Sequence, residues 1–189
     1  RKALGLESVK GAVLGFVGFY RPWHRLDLVV DGLAARELRE AHLVLIGEGP
    51  AEEELRLQAK KRGVAERVHF VGPRAHSEIP GLLPAFDIGL VPAINPYASP
   101  LKLHEYMAAG LPSVAPDQPN LREVLTSGEQ ALLFKPGDGD GLCAALATLV
   151  ADADLRSRMG ERARETLVER DLTWRGNARR VLAAVEELV

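Results

Sequence analysis

The sequence predicts an α/β fold: a Rossmann-like, doubly wound parallel sheet of six strands, with helices on both faces and further helices at the C-terminus. Short apolar segments alternate with amphipathic ones, as in parallel sheets connected by helices. The apolar segments are nearly continuous, which indicates strands covered on both faces. The predicted strands are Ala12 to Gly18, His42 to Gly47, Arg67 to Gly72, Asp87 to Ala93, Leu111 to Pro116 and Ala131 to Phe134.

The segments between the strands carry helical signals. Arg25 to Glu40 places apolar residues at helical spacing, and Pro50 to Arg62 opens with a proline followed by three glutamates. Further helices are predicted at His76 to Pro84, Pro100 to Ala109 and Gly139 to Ala151. Two more, Asp154 to Glu169 and Thr173 to Leu188, form a C-terminal helical segment over 154–189, within a single domain that spans 1–189.

Composition excludes several classes of function. The 189 residues contain 24 Lys and Arg against 26 Asp and Glu, so the formal charge of −2 provides no positive field for nucleic acid. Aromatic residues make up 5% of the chain, too few for base-stacking platforms. Cys143 is the only cysteine, which fits a reducing, cytoplasmic location. No apolar run approaches the roughly 20 residues of a membrane helix.

Ligands of open parallel sheets bind beyond the carboxyl ends of the strands, so the segments that follow the strands are the candidate sites. After the first strand, Gly18 lets backbone approach a ligand closely. Arg21, His24 and Arg25 then cluster before a helix N-terminus, an arrangement suited to phosphate. The alternative interpretation is a solvated loop with Trp23 packed on the domain.

The second segment imitates a dinucleotide-binding fingerprint. Glycines stand at 47 and 49, but Glu52 occupies the third glycine position and two more glutamates follow. These carboxylates would repel a pyrophosphate, which argues against nicotinamide or flavin binding. We interpret the segment as a tight turn in which Gly47 can line the cleft.

The third segment contains a turn at Gly72 and a possible base contact. Backbone groups around Arg74 can pair with the flat edge of a base, and His76 or Ser77 can cap the following helix. An ordinary connection explains these residues equally well.

The segment from Ile94 to Pro116 is the richest. Ser99 followed by proline predicts an N-cap, so the N–H groups of Leu101 and Lys102 would point at the strand ends. Lys102 opposes the helix dipole, which is easier to explain if an anion lies between them. Glu105, one turn on, can accept hydrogen bonds from sugar hydroxyls, although a solvated carboxylate is the simpler interpretation of that residue alone.

Metal and nucleophile signatures are missing from the sequence. The five histidines have no helical zinc spacing, and there is no serine elbow or Walker-type lysine loop. The glycine-aspartate stretch Gly137 to Gly141 lacks the later glutamate of a calcium loop.

The segment SPLKLHEYMAAGLPSVAP resembles the donor-site signature of retaining GT-B glycosyltransferases of family 4, the glycosyl transferases group 1. The preceding segment, His42 to Ala93, resembles the middle of the same donor-binding domain. PWH in the first loop and Thr173-Trp174 near the end are similar to further features of the family. The resemblance spans nearly the whole chain in the right order.

This resemblance implies a domain that binds a UDP-, GDP- or ADP-sugar. Glu105 would bind the ribose, the loop from Gly72 to Arg74 would face the base, and the loop from Gly18 to Arg25 would reach the phosphates. The diphosphate would be held by N–H groups at the start of the helix, near Ser99, Leu101, Lys102 and Leu103. The family transfers hexoses with retention of configuration and usually without an essential metal; no cofactor is implied.

The sequence departs from the family pattern at the phosphate and sugar contacts. Tyr97 replaces the first of two glutamates, Phe19 and His24 replace an arginine and a lysine, and Arg25 replaces a glycine. We hypothesise that Arg21, Arg25 or Lys102 supplies the missing charge, and that His24 does so when protonated.

A GT-B enzyme has two Rossmann-like domains, and this chain resembles only the C-terminal, donor-binding one. We therefore expect a partner N-terminal acceptor domain, inefficient transfer by the 189-residue chain alone, and peripheral membrane association only through the other half. Two alternatives stay open: a sugar-nucleotide epimerase, and a non-catalytic partner or scaffold with the same fold. The sugar, the acceptor and the nucleobase are not determined.

Overall fold

The computed structural model describes residues 1–186 and confirms the six-stranded parallel sheet. The spatial order is β3-β2-β1-β4-β5-β6, and every neighbouring pair is parallel. The strands are β1 (Val13–Val17), β2 (His42–Ile46), β3 (Val68–Gly72), β4 (Ile88–Leu90), β5 (Ser113–Pro116) and β6 (Ala131–Phe134). Each one falls within its predicted segment.

The predicted helices are present, with two differences. The first helix is much shorter than predicted, and the one predicted over His76 to Pro84 is a four-residue α-helix between two 3-10 turns. The helices are α1 (Leu26–Gly32), α2 (Glu52–Lys61), α3 (Ile79–Leu82), α4 (Leu101–Ala108), α6 (Gly139–Ala151), α7 (Ala153–Glu169) and α8 (Trp174–Glu186); a short α5 (Pro119–Arg122) was not predicted. The predicted end of α8 at Leu188 lies outside the described residues.

The prediction that the first helix continues to Glu40 was wrong. After α1 ends, the chain makes a separate 3-10 turn at Arg36–Leu38. The side chain of Arg67 stabilises this path, because its guanidinium donates hydrogen bonds to three backbone oxygens there, at 2.6 to 3.1 Å. Those carbonyls are thus bound by a residue that directly precedes β3, which the local periodicity could not reveal.

Helices cover both faces of the sheet, as predicted. Leu14 and Phe16 of β1 face a core formed with α1, α2 and α6, whereas Val13 faces a second core formed with α3, α4, α5 and α7. α7 packs closely against the end of α4. Gly160 of α7 lies so near Gly110, which follows α4, that a methyl group added at Gly160 would be 2.0 Å from the Gly110 backbone oxygen.

The chain order places the switch point of the sheet, where a ligand-binding crevice is expected, at the carboxyl ends of β1 and β4. From β1 the chain builds outward to β2 and β3, and it then crosses back to add β4 on the other side of β1. In doubly wound sheets ligands bind at this switch point, because the loops after the two central strands diverge there. The loop after β1 and the loop that leads into α4 therefore form the two sides of the candidate site.

The last helix extends away from this core. Within α8, Gly176 is the only buried residue among those described, and Trp174 is 77% exposed. Of the helices in residues 1–186, none has both the length and the apolar character required to cross a bilayer.

Candidate functional site

Three glycine-containing turns lie side by side at the carboxyl edge of the sheet. Gly18 N–H donates to Ile46 O, and Gly47 N–H donates to Gly72 O, both at 3.0 Å. All three glycines have positive φ, at 141°, 134° and 78° along the chain. A methyl group at Gly47 would lie 2.0 Å from Gly18 O, so these turns can approach only because side chains are missing.

The turns form the floor of an open cleft of about 290 Å³. It is lined by Val17, Gly18, Phe19, Ile46, Gly47, Glu48, Pro73, Arg74, His76 and Ile79. The predicted base-facing loop is thus one wall of the cleft. Arg74 is held by its own loop, because its guanidinium donates to Pro73 O at 3.0 Å.

Helix α4 begins beside this cleft without a side-chain cap. The prediction that Ser99 is the N-cap was wrong: Ser99 is exposed, and Pro100, with extended backbone, occupies that position. The N–H of Leu103 already donates to Pro100 O at 3.0 Å and its side chain is buried, so the expectation that Leu103 offers a group to a ligand is not met. The N–H groups of Leu101 and Lys102 occupy the helix end, and no side chain in the described part of the chain caps them.

Lys102 extends from this helix end across to β1. Its Nζ atom lies 3.7 Å from the centre of the Phe16 ring, a cation–π contact. It also lies 3.1 Å from where a methyl group at Gly18 would be. Burial lowers the pKa of Lys102 to about 8, and the carboxylate of Glu105 partly opposes the shift. A cation therefore stands at the β1 side of the crevice, next to the uncapped helix end.

Glu105 lies one turn further along α4 and does not itself line the cleft, although it contacts His76, which does. Its side chain is 28% exposed, and its Oε1 atom lies 3.7 Å from Nδ1 of His76. The carboxylate is therefore accessible and faces the loop that follows β3, as its predicted role requires.

Tyr106 fixes α4 to the sheet, and the sequence analysis missed it. Its buried hydroxyl accepts a hydrogen bond from Val17 N–H at 3.2 Å and donates to Gly15 O at 3.4 Å. Its ring fills the space where a side chain at Gly89 would stand, 2.4 Å from the added carbon. An isolated glycine within a predicted strand, here Gly89, was the available signal of such a close approach.

Arg25 is engaged away from the crevice. Its guanidinium binds the carboxylate of Asp27 at 3.0 Å, and the residue itself has a left-handed backbone with φ of 53°. It lines a separate cavity between α1 and α2, together with Arg21. The structure therefore does not support the hypothesis that Arg25 replaces the missing charge.

His24 and Arg21 also differ from expectation. Burial, reinforced by the charge of Lys102, lowers the pKa of His24 to about 4, so near neutral pH the ring is uncharged and does not supply the missing charge. Arg21 stacks between the rings of Phe19 and Trp23, at 4.6 and 5.2 Å. Trp23 is itself 51% exposed rather than packed on the domain. Among the proposed cations, Lys102 is the one whose charge lies beside Gly18.

Across residues 1–186, no three His, Cys, Asp or Glu side chains are grouped closely enough to hold a metal ion.

The sheet order, the glycine turns at its edge and the helix that points into the switch point place the chain in the Rossmann-like class of α/β domains. More narrowly, it belongs to the family described as glycosyl transferases group 1, which matches residues 5–166.

Individual relatives agree with this assignment. The D-inositol 3-phosphate glycosyltransferase of Corynebacterium glutamicum (strain R) is 32% identical over 94% of this chain and 44% of its own length. The crystal structure of Anabaena Alr3699/HepE in complex with UDP-glucose is 25% identical, with a TM-score of 0.79 over 90% of this chain and 47% of that one. The C-terminal domain of a glycosyl transferase group 1 family protein (LpcC) from Francisella tularensis shares the fold, with 18% identity and a TM-score of 0.74; 89% of this chain and 90% of that one are covered. The chain thus spans about half the length of the curated relatives it matches.

Proposed function

We propose that this chain is the donor-binding domain of a GT-B glycosyltransferase of family 4, and that it binds a nucleotide diphosphate sugar in the crevice between β1 and α4. The observation that carries the proposal is the meeting of Lys102 Nζ, the glycine turn at Gly18 and the uncapped start of α4. A helix end and a cation together favour a diphosphate.

The remaining residues have roles that match the parts of such a ligand. The diphosphate lies between Gly18, Lys102 and the amides of Leu101 and Lys102. Glu105 binds ribose hydroxyls, and the loop at Arg74 faces the base. The complex of Alr3699/HepE with UDP-glucose supports a sugar nucleotide as the ligand class and favours UDP over GDP and ADP as the first nucleotide to test.

The same groups suit the departure of the nucleotide during transfer. As the bond to the sugar breaks, negative charge grows on the diphosphate, and a preorganised ammonium group and helix amides stabilise that charge. We propose that hexosyl transfer proceeds with retention of configuration and without an essential metal ion or cofactor. Tyr97 stands where the family has its first glutamate, so no carboxylate is offered to the sugar from that position. Its side chain is 87% exposed, and its hydroxyl accepts a hydrogen bond from Asn95 at 3.3 Å.

We further propose that residues 1–189 are one domain, the C-terminal half of the enzyme, and that the acceptor binds to a separate N-terminal half. Relatives about twice as long and the similar LpcC C-terminal domain support this proposal. Within the cell we place the enzyme in the cytoplasm, with any membrane contact made through the other half.

Thermal denaturation of the purified chain with UDP, GDP, ADP or inorganic phosphate tests the donor site. A ligand that binds the folded state raises the midpoint in proportion to the logarithm of its excess. We expect at least one nucleotide diphosphate to raise the midpoint more than phosphate does. A midpoint that none of the nucleotides moves would contradict the proposal and favour a scaffold that kept only the fold.

A transfer assay with UDP-glucose tests the two-domain proposal. We expect the 189-residue chain to transfer sugar poorly alone, and the full-length protein to produce a product with the donor's anomeric configuration. Efficient transfer by the chain alone, or inversion by the longer protein, would contradict it.

A further inference from the structure

His76 faces Glu105, the carboxylate assigned above to the ribose. The residue opens the 3-10 turn after β3, and its Nδ1 atom lies 3.7 Å from Glu105 Oε1. Its side chain is 88% exposed, against 28% for Glu105, so the contact lies at the surface, beside the cleft that His76 lines. Two elements that are distant in sequence thus meet over the proposed ribose position.

The contact is not a by-product of helix capping. The sequence suggested His76 or Ser77 as the cap of this turn. The capping side chain is instead Glu78, whose carboxylate accepts a hydrogen bond from Ala75 N–H at 2.9 Å. The His76 ring is therefore free to face the cleft, whose wall it forms together with Arg74 and Glu48.

We propose that His76 is a positioning residue of the nucleotide site: it competes with the ribose for Glu105, and this competition weakens ribose recognition at acidic pH. The inference rests on the proposed function, since it requires a ribose at Glu105. An imidazole attracts a carboxylate strongly only when it is protonated, so the competition grows as pH falls. A ribose hydroxyl must then displace a cation from the carboxylate to bind it.

Other charged groups near this pair do not explain such an effect. Lys102 acts on Glu105 from the same helix but stays protonated throughout the acidic range, because its pKa is about 8. Arg74 keeps its charge at any pH used. Glu48 lies on the same cleft wall, and Glu78 accepts a hydrogen bond from Ala75 N–H. Both residues are unchanged in all the variants below, so they contribute equally to binding in every protein that is compared.

The test compares the affinities of UDP and 2′-deoxy-UDP, measured calorimetrically at about pH 8 and about pH 5.5. The ratio of the two affinities isolates the ribose hydroxyl, because titration of the phosphates and of Lys102 affects both ligands equally. The proteins are the wild type, His76→Gln, Glu105→Gln, the double variant and a control, Ser77→Ala. Since His76 is exposed, its substitution should leave the melting temperature unchanged.

In the wild type we expect the preference for UDP to be smaller at the acidic pH. His76→Gln should raise the acidic preference about two- to fivefold, the range of an exposed ion pair, and should have little effect at the higher pH. In the Glu105→Gln background the same substitution should change nothing. An unchanged ratio in His76→Gln, or an equal change without Glu105, would overturn the inference while leaving the donor site intact. A wild type that binds neither nucleotide would instead refute the proposed function itself.

Discussion

Lys102 holds its ammonium group 3.7 Å from the centre of the Phe16 ring, and so ties the start of α4 to the end of β1. The ring offers a partly apolar support for the charge but no hydrogen-bond acceptor. The ammonium group can therefore still donate hydrogen bonds to a ligand. We propose that, held by this pair, Lys102 supplies the charge that the family pattern places in the β1 loop.

Replacing Lys102 with methionine should weaken UDP binding by roughly 10- to 100-fold, the range of a hydrogen bond to a charged group. Stability should not fall, because the methionine side chain can occupy the same partly apolar space. Isothermal titration calorimetry measures the affinity. Arg25→Gly is the matched control: it removes a charge that Asp27 already binds, at a residue whose backbone favours glycine. Equal losses in the two variants would show that the effect is general electrostatics.

UDP affinity should fall as pH rises past the pKa of Lys102, about 8. Burial lowers this pKa from its ordinary value, so the site is charged below about pH 8 and loses its cation above it. Between about pH 7 and about pH 9.5 we expect roughly a tenfold loss, because deprotonation of the lysine in the free chain removes the charge that the diphosphate binds. The variant Lys102→Arg should keep its affinity over this range. A wild-type profile as flat as that of the arginine variant would contradict the assignment.

His24 should make the fold sensitive to acid. Its pKa is about 4 in the folded chain, below the ordinary 6.5, so unfolding takes up a proton when the pH is between these values. The contribution of neutral His24 to the free energy of unfolding is fully present above about pH 6.5 and is lost as the pH falls toward 4. At pH 5 the loss is about 2 kcal/mol. For a chain of this size, His24→Gln should therefore lose about 4–8 °C less in melting temperature than the wild type between pH 7 and pH 5. The other histidines affect both proteins alike, so equal losses would refute the prediction.

Tyr106→Phe should lower the free energy of unfolding by about 1–3 kcal/mol, because it leaves the Val17 N–H without its hydroxyl partner. Urea denaturation measures this change. Tyr97→Phe is the control, since that tyrosine is 87% exposed and should alter stability by less than about 0.5 kcal/mol. If both variants are equally stable, the hydroxyl of Tyr106 does not hold α4 to the sheet.

Gly47→Ala should destabilise the fold by more than about 2 kcal/mol, because it adds a collision with Gly18 O to the strain of a positive φ. Gly63→Ala separates the two causes: that glycine also has positive φ, at 69°, but no atom lies within 4 Å of the added carbon. We expect Gly63→Ala to cost only about 1–2 kcal/mol in urea denaturation. Similar costs would show that the contact between the turns carries little energy.

The sheet could be predicted from sequence because each strand is a short apolar run between turn residues, and local patterning reports this directly. α6 was predicted with the bounds observed, whereas the chain path after α1 depends on the side chain of Arg67, which reaches it from the 3-10 turn before β3. Prediction was weakest where contacts join distant segments. The hydroxyl of Tyr106 bonds residues 89 and 91 positions away, and no local pattern encodes that distance.

In the candidate site, too, local features could be predicted from the sequence and long-range contacts could not. The glycines that end the first three strands and the position of α4 followed from local signals. Which of the nearby cations faces the crevice could not be predicted, because it depends on the partner that each side chain contacts in the folded chain. Asp27 binds Arg25, two aromatic rings enclose Arg21, and burial keeps His24 neutral at pH 7.

Titration of the ¹⁵N-labelled chain with UDP, followed by NMR, tests the central claim most directly. We expect the largest shifts at the amides of Gly18, Leu101 and Lys102, and smaller ones around Gly72 and Arg74. The amides of the cavity between α1 and α2, including Leu55, should hardly move. Saturable shifts centred on that second cavity, or no shifts at millimolar UDP, would contradict the assignment of the crevice between β1 and α4 as the nucleotide site.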